Sequence, residues 1–318
     1  ANTAMLGSLM VPEMQRRGYS RKMTMGPILG TGGLAMIIPP SSLGILLASI
    51  AGIDVGSLLV AGLFPGIVLA VLYCGMIFMQ VTMNPAGAPS YDVAPTPFWE
   101  KLVSICINIV PMGIVVFMVI GFIILGIATP SEAAAFGVLG VMILASAFRL
   151  MTWKILRSSL LSTVSVTGMV FFIIMNSAVF SQLLAFSGAS QGLLNWATGF
   201  DIPSLMMVLI MFMTLLMLGM FMDPVSMMLI SVPIFFPIIQ MMGFEPVWFG
   251  IFVLLSLEMS GTTPPFGLLL FIMLGVAPRG TTLLQVAKAA FPFLICDALL
   301  LLILIFFPAI VLYLPSLM

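Results

Sequence analysis

Residues 28–45 read ILGTGGLAMIIPPSSLGI, and residues 253–270 read VLLSLEMSGTTPPFGLLL. Each stretch is an apolar segment interrupted by two consecutive prolines, Pro39-Pro40 in the first and Pro264-Pro265 in the second. A double proline removes two amide donors and clashes with the preceding turn, so it breaks a helix. The separation of the two pairs is 264 − 39 = 225 residues, and the sequence therefore predicts two matching broken helices.

The match continues outward from the prolines without a gap. The further residues that coincide at an offset of 225 are Pro12 with Pro237, Gly18 with Gly243, and Tyr19 with Phe244. Scattered leucine matches are expected by chance in an apolar chain, whereas glycine and proline at fixed spacing are not. The two halves are therefore predicted to be an internal repeat, and each half ends in a long apolar segment that contains one proline, Pro65 or Pro292.

The composition indicates that much of the chain faces lipid rather than water. The 318 residues are 62% hydrophobic and 6% charged, with a mean hydropathy of +1.30, whereas a soluble domain has about 25% charged residues. Only helices and closed barrels satisfy their backbone in lipid, and the apolar runs here are longer than barrel strands and do not alternate. We predict an all-α, polytopic membrane protein. A net charge of zero gives no indication of nucleic-acid binding, and the chain has no histidine.

Charge indicates that the repeat is inverted. The loop at 13–22 contains Arg16, Arg17, Arg21 and Lys22, whereas the equivalent loop at 238–247 has Glu245 as its charged residue. Because lysine and arginine stay on the cytoplasmic side, the two loops are predicted to lie on opposite membrane faces. Counting crossings from this start places Arg149–Arg157 inside and the C-terminus on the periplasmic side.

This pattern divides the chain. We predict the following parts: 1–53, the end of a first hairpin and the first broken helix; 54–83, an arm and a scaffold helix; 84–101, a loop; 102–200, scaffold and connecting helices, including spans at 102–125 and 160–184; 201–277, a second hairpin and the second broken helix; and 278–318, an arm and a scaffold helix. The second half has a span near Ser158 without a counterpart in the first, so we expect further sequence before Ala1.

The breaks are the candidate sites. Non-helical backbone within a membrane is tolerated beside protein or a water-filled cavity, and paired broken helices in inverted halves indicate a transporter's binding site. Hydroxyls and bare carbonyls are oxygen ligands that suit Na⁺. The predicted Na⁺ ligands are Gly33, Ser41, Ser260, Gly261, Thr262 and Thr263, and the predicted substrate contacts are Ser41, Ser42, Asp223 and Thr262. The alternative interpretation is a plain proline kink whose hydroxyls bond to the backbone.

Three acidic residues need separate interpretation. Asp223-Pro224 joins two apolar arms, so Asp223 is either a polar group at the tip of a re-entrant hairpin or a helix cap in an ordinary loop. Glu258 and Asp297 lie within apolar segments, and an intramembrane carboxylate is a functional candidate by default. Glu258 could instead bond the unwound backbone at Thr262.

Several motifs resemble one family. The stretch Gly33–Gly66 with its Ala61-Gly62-Leu63-Phe64-Pro65-Gly66 end, the segment Thr129-Pro130-Ser131-Glu132-Ala133-Ala134, and Thr263-Pro264-Pro265-Phe266-Gly267 are similar to the large membrane subunit of tripartite ATP-independent periplasmic (TRAP) transporters. The resemblance implies an elevator-type, Na⁺-coupled importer of organic acids such as sialic acids or C4-dicarboxylates. It also implies the bacterial inner membrane, a small four-helix membrane subunit and a periplasmic binding protein.

Two departures from the family are visible. The family has a Ser/Gly-rich hairpin tip just before the segment resembling Ala1-Asn2-Thr3-Ala4, and Asn and Gly before the second double proline, where this chain reads Ser256-Leu257-Glu258-Met259-Ser260. The alternatives are a stand-alone Na⁺/dicarboxylate symporter, a passive channel, or an intramembrane enzyme. The enzyme is disfavoured by the missing histidine, and no Walker-type phosphate loop is present for ATP hydrolysis.

Overall fold

The computed structural model describes residues 2–90, 97–188, 192 and 203–317, and these residues form helices joined by short turns. The end of the predicted region of scaffold and connecting helices, 193–200, and the middle of the predicted loop, 91–96, lie outside the described residues. The helices are α1 Asn2–Arg16, α2 Arg21–Ile37, α3 Ser42–Ala51, α4 Val55–Ala61, α5 Leu63–Met83, α6 Phe98–Asn108, α7 Val110–Ile124, α8 Pro130–Ala147, α9 Trp153–Phe186, α10 Ser204–Gly219, α11 Pro224–Met241, α12 Pro246–Thr262, α13 Leu268–Val276, α14 Leu283–Phe306 and α15 Ala309–Leu312.

Length and composition fit a polytopic membrane protein. Within the described residues, five helices are long and apolar enough to cross a membrane, or up to seven if two bent helix pairs each count as one span. One bent pair is the first broken helix, α2 with α3, which turns by 42° at the break. Many large apolar side chains on α6 to α9 are exposed, as expected for surfaces that face lipid or another membrane subunit.

The repeat is reproduced in the backbone. Helix α2 covers 21–37 and α12 covers 246–262, so both bounds differ by 225 residues. The preceding helices end at Arg16 and Met241, each two residues before a glycine of positive φ, Gly18 at 81° and Gly243 at 77°. Equivalent hydrogen bonds join Tyr19 N to Met14 O and Phe244 N to Ile239 O. Both double prolines contain a cis peptide bond. The internal repeat predicted from the sequence is confirmed.

Contacts along α5 and α14, which are equivalent in the repeat, establish its direction. The ring of Phe64, at the start of α5, lies 6.3 Å from that of Tyr313, just beyond the end of α14. Further along α5, the Tyr73 hydroxyl bonds to Asp297, nearer the start of α14. Rising numbers in one helix therefore meet falling numbers in the other, and the two helices are antiparallel.

The two broken helices, α2 and α12, are also antiparallel to each other. Arg21 at the start of α2 donates to the Gln285 side chain at the start of α14, at 3.3 Å, so α2 runs parallel to α14. The Trp248 indole, near the start of α12, donates to Leu304 O at the other end of α14, at 3.0 Å. Helices α2 and α12 are therefore antiparallel, and the inverted orientation of the repeat is confirmed. It puts Arg21 and Glu245 at opposite ends of the bundle.

The main core surrounds α12, on which every residue from Trp248 to Thr262 is buried. It packs against α2, α10, α11 and α14. A helix that is apolar all round is expected at the centre of a bundle, and this one carries the second double proline at its end.

Three predicted boundaries were wrong. The expected span at 102–125 is divided at Ile109 and bent by 46°, because Pro111 cannot donate the hydrogen bond that would continue the helix. The basic segment 149–157 was expected to form a link before a span at 160–184, but α9 begins at Trp153 and includes the second half of that segment. The arm and span expected to meet near Pro292 form one helix, α14, since a proline is tolerated in a membrane helix whose neighbours satisfy the freed backbone.

Candidate functional site

The first break is closed by a serine. Pro39 and Pro40 supply no N–H to the preceding turn of α2, which leaves carbonyls such as that of Met36 without a helical donor. The Ser41 hydroxyl donates to Met36 O at 2.6 Å. The Ser41 Oγ atom also accepts from Gly44 N at 3.0 Å, which caps the start of α3. Ser41 is buried and Ser42 is exposed. Ser41 therefore stabilises the local backbone whether or not it also contacts a ligand.

Hydroxyls also serve the backbone at the second break. Thr263 Oγ1 donates to Met259 O at 2.6 Å, and Thr262 Oγ1 donates to the same carbonyl at 3.1 Å. Ser260 Oγ donates to Leu257 O at 2.9 Å. A hydroxyl has one hydrogen and two lone pairs. Each of these oxygens has therefore used its hydrogen on a carbonyl and keeps lone-pair capacity, which is what a cation requires.

The hairpin of α10 and α11 meets the second break. A Cβ placed on Gly219 would lie 2.3 Å from both Cβ and Oγ of Ser260, so the end of α10 approaches Ser260 as only glycine allows. The ring of Phe221 lies 5.8 Å from that of Phe266. The first break has a comparable neighbour in α1, where Thr3 Oγ1 would lie 2.2 Å from a Cβ on Gly32.

Asp223 acts as a helix cap in this structure. Its Oδ2 accepts from the backbone N–H groups of Val225 at 3.0 Å and Ser226 at 3.1 Å, and its side chain is exposed. These bonds satisfy amides at the start of α11. The cap accounts for the residue at this position, and its role in substrate binding stays a prediction.

The predicted ligands form two clusters rather than one. Gly33 packs against Glu258, its own equivalent in the repeat (258 − 225 = 33), because a Cβ at position 33 would lie 2.4 Å from Glu258 Cγ. The ends of α2 and α12 each lie four residues beyond this contact, in opposite directions, which separates the breaks by about 12 Å at 1.5 Å per residue. Ser41 and Ser42 therefore lie on one side of the repeat axis, and Ser260, Gly261, Thr262 and Thr263 on the other.

A polar trio lies at the repeat axis. The Tyr73 hydroxyl is 3.0 Å from Glu258 Oε1 and 2.5 Å from Asp297 Oδ1, and each of the three side chains is 2% exposed. The hydroxyl has one hydrogen, so it can donate to only one of the two carboxyl groups at a time. The second Glu258 oxygen, Oε2, is buried without a hydrogen-bond partner in the described part of the chain.

Sequence reasoning selected Glu258 and Asp297 but missed Tyr73. A signal was available, because Tyr73 and Asp297 are nearly equivalent in the repeat (297 − 73 = 224), as are Leu72 and Cys296, which also contact each other. Residues on a two-fold axis contact their own equivalents. The offset between these equivalent residues is 224 rather than the 225 found at the double prolines, so aligning the halves at 225 does not pair Tyr73 with Asp297.

Together these features define a class. The chain is a polytopic helical membrane protein with inverted repeats, and each repeat carries an apolar helix broken at a double proline. That arrangement is typical of secondary transporters, which bind substrate and coupling ions where such helices are interrupted.

Comparison with known proteins gives the particular family. Residues 1–310 match the family model described as the tripartite ATP-independent periplasmic transporter, DctM component. The chain is 32% identical to the C4-dicarboxylate TRAP transporter large permease protein DctM of Pseudomonas aeruginosa, over 99% of this chain and 73% of that protein. It is 32% identical to the DctM protein of Rhodobacter capsulatus over 100% and 74% of the two chains. It is 31% identical to the ectoine TRAP transporter large permease protein TeaC of Halomonas elongata over 100% and 73%.

The chain therefore belongs to the large permease subunit family of TRAP transporters. It is a multi-pass inner-membrane protein of a transporter family rather than an enzyme. The relatives' names include both C4-dicarboxylates and ectoine, so family membership leaves the substrate open.

Proposed function

We propose that this permease takes up an organic acid together with Na⁺, by an elevator movement, from a periplasmic binding protein and in complex with a small four-helix membrane subunit. The observation that carries the proposal is the pair of broken helices packed antiparallel across Gly33 and Glu258. An inverted pair of this kind presents two equivalent ends to opposite membrane faces. Substrate sites of this type lie near the bilayer midplane, between the repeats.

The oxygen-rich second break is the best candidate for Na⁺. Thr262, Thr263 and Ser260 place three hydroxyl oxygens within one turn of helix, and each has already donated its hydrogen to a carbonyl. The first break supplies the Ser41 oxygen and the exposed Ser42, with the Gly33 carbonyl one turn away. Helix ends beside these breaks add carbonyl dipoles for a cation and amide dipoles for a carboxylate.

The proposed division into moving and fixed parts follows the repeat: the broken helices and the hairpin move, and the long helices that follow the broken helices stay fixed. We define the moving body as α2, α3, α12, α13 and the hairpin α10–α11, and the scaffold as α5 and α14 with the short helix α4. The interface between them is close: Cβ atoms placed on Gly26 and Gly30 of α2 would lie 2.8 Å from Ala289 O and 2.4 Å from the Phe293 ring. Two glycines on one face give α2 a smooth surface against α14, which suits sliding.

The substrate class rests on the family and the chemistry of the breaks. Relatives are named for C4-dicarboxylates and ectoine, and we propose a carboxylate, with sialic acids or C4-dicarboxylates as the candidates to assay first. Asp223, Ser41, Ser42 and Thr262 are the proposed contacts. The orientation follows from charge: Arg16–Lys22 in the cytoplasm and the C-terminus in the periplasm.

The test is uptake by the complete complex in liposomes, with labelled organic acids and candidate binding proteins. Uptake is expected to require an inward Na⁺ gradient and the cognate binding protein. Equal uptake with K⁺ in place of Na⁺ would remove the coupling. Equal uptake without any binding protein would favour a stand-alone symporter.

A matched pair of threonines tests the Na⁺ site. Thr263→Val removes the hydroxyl at the break, and Thr214→Val removes one on the exposed face of α10 that makes the same kind of bond, to the carbonyl four residues earlier at 2.8 Å. A charged hydrogen bond contributes about 1.5–3 kcal/mol, and we expect loss of a cation ligand to be of the same order, raising the half-saturating Na⁺ concentration at least tenfold. Thr214→Val should leave it unchanged. Equal Na⁺ dependence in both variants would exclude Thr263 as a ligand.

A further inference from the structure

Tyr73 joins three helices at the repeat axis. It lies on α5, and its hydroxyl bonds to Asp297 on α14 and to Glu258 on α12. In the division proposed above, α5 and α14 belong to the scaffold and α12 to the moving body. The Tyr73–Asp297 bond is therefore internal to the scaffold, whereas the Tyr73–Glu258 bond crosses the interface at which movement takes place.

The scaffold holds the hydroxyl independently of Glu258. Asp297 fixes the oxygen at 2.5 Å, and the Tyr73 ring packs edge-on against Phe293 of α14, with 5.2 Å between the ring centroids. On the other side, Glu258 packs directly against Gly33 of α2. This hydrogen bond connects a scaffold position to the point where the two broken helices meet, between the two other hydrogen bonds that cross the same interface, Arg21–Gln285 and Trp248–Leu304.

We propose that Tyr73 is a positioning residue, a latch whose hydroxyl holds the moving body in the conformation seen here through Glu258. The inference rests on the proposed elevator movement. A shift of even one helical turn, 5.4 Å, would separate the two oxygens far beyond hydrogen-bond distance. Within the described residues Glu258 Oε2 has no hydrogen-bond partner, so losing the Tyr73 bond would leave this carboxyl group without a partner there. The loss would shift the equilibrium between the positions of the moving body.

The experiment measures directly how the moving body is distributed between its positions relative to the scaffold. Spin labels at Glu245→Cys, at the start of α12, and Phe307→Cys, at the end of α14, report the distance between moving body and scaffold in the complete complex in nanodiscs; both positions are exposed. Cys74, Cys106 and Cys296 are replaced in every sample, with Tyr73 retained in the reference. We expect two distance populations in the reference, and Tyr73→Phe should lower the ratio of the present population to the other by roughly two- to tenfold, the range for one net hydrogen bond.

Two further variants separate a latch from a general structural defect. Glu258→Leu removes the acceptor from the moving side and should shift the populations in the same direction, while the double variant Tyr73→Phe/Glu258→Leu should shift them no further, because both changes break one bond. Tyr313→Phe removes a hydroxyl from a scaffold-side residue beside Phe64 and should change nothing. Glu258→Leu also serves as the test if Tyr73→Phe does not assemble.

The outcomes distinguish the latch from the function on which it rests. Two populations whose ratio is unchanged by Tyr73→Phe, or additive effects in the double variant, would overturn the latch and leave the moving body intact. A single distance in the reference with and without saturating Na⁺ would overturn both, since nothing would move for the bond to hold.

Discussion

Replacing Gly33 by alanine probes the contact at the repeat axis. The added methyl carbon would lie 2.4 Å from Glu258 Cγ and 2.7 Å from Cδ, whereas carbon atoms in favourable contact are about 3.5–4.0 Å apart. The glutamate must therefore move by about 1 Å. Because α12 is buried on all sides at this level, the displacement strains the core, and overpacking of this kind costs about 1–3 kcal/mol.

Gly75→Ala is the matched control. Gly75 lies inside helix α5, and no atom lies within 4 Å of a Cβ placed there. Both substitutions gain the helix propensity of alanine, about 1 kcal/mol, so the difference between the two variants isolates the clash. We expect Gly33→Ala to be less stable than Gly75→Ala by about 1–3 kcal/mol. Thermal unfolding in one detergent should show a melting temperature lower by about 2–4 °C for each kcal/mol.

A double-mutant cycle identifies the partner. Glu258→Ala removes the atoms that collide with the new methyl group, so Gly33→Ala should cost much less in that background, giving a coupling energy of about 1–2 kcal/mol. Equal melting temperatures for Gly33→Ala and Gly75→Ala would refute the contact, as would strict additivity in the cycle.

Three further predictions concern local structure and use the same melting assay. Ser41→Ala removes the cap of α3 and the bond to Met36 O and should cost about 0.5–2 kcal/mol, while exposed Ser42→Ala should stay within about 0.5 kcal/mol; equal effects would contradict the cap. Asp223→Ala should cost a similar amount and Asp223→Asn much less, because asparagine also caps helices; indistinguishable variants would argue against capping. Gly18→Ala and Gly243→Ala should each destabilise by about 1–2 kcal/mol, since both glycines have left-handed φ, and a large difference between them would contradict their equivalence.

The broken helices could be predicted from the sequence because proline acts locally. Two missing amides end a helix in any surroundings, so the end of α2 at Ile37 and the start of α13 at Leu268 follow closely from Pro39-Pro40 and Pro264-Pro265. Because the two halves are related by the repeat, each feature recognised in one half predicts the same feature at the equivalent position of the other half. The difference in charge between equivalent loops predicted that the repeat is inverted. The contacts of Arg21 and Trp248 with opposite ends of α14 confirm this orientation.

Packing decided what the sequence left open. Pro111 and Pro292 are chemically alike, yet the chain bends just before the first and continues through the second, because neighbouring helices determine whether a freed carbonyl finds a partner. Tyr73 was missed because its near equivalence to Asp297 becomes a contact where α5 and α14 cross, and that crossing is set by packing. For Asp223 the sequence allowed both a hairpin tip and a helix cap, and only the hydrogen bonds to Val225 and Ser226 reveal the cap.

The inverted repeat in a real membrane is tested most directly by labelling from one side. Lys22 lies in the first turn of α2, and Glu245 directly precedes α12. Both are exposed, so the single cysteines Lys22→Cys and Glu245→Cys lie at the ends of the two helices that face away from each other. In intact cells, a membrane-impermeant maleimide should label Glu245→Cys and leave Lys22→Cys unlabelled until the membrane is opened. Labelling of both cysteines from the same side would contradict the inverted arrangement, and with it the alternating-access transport proposed for this permease.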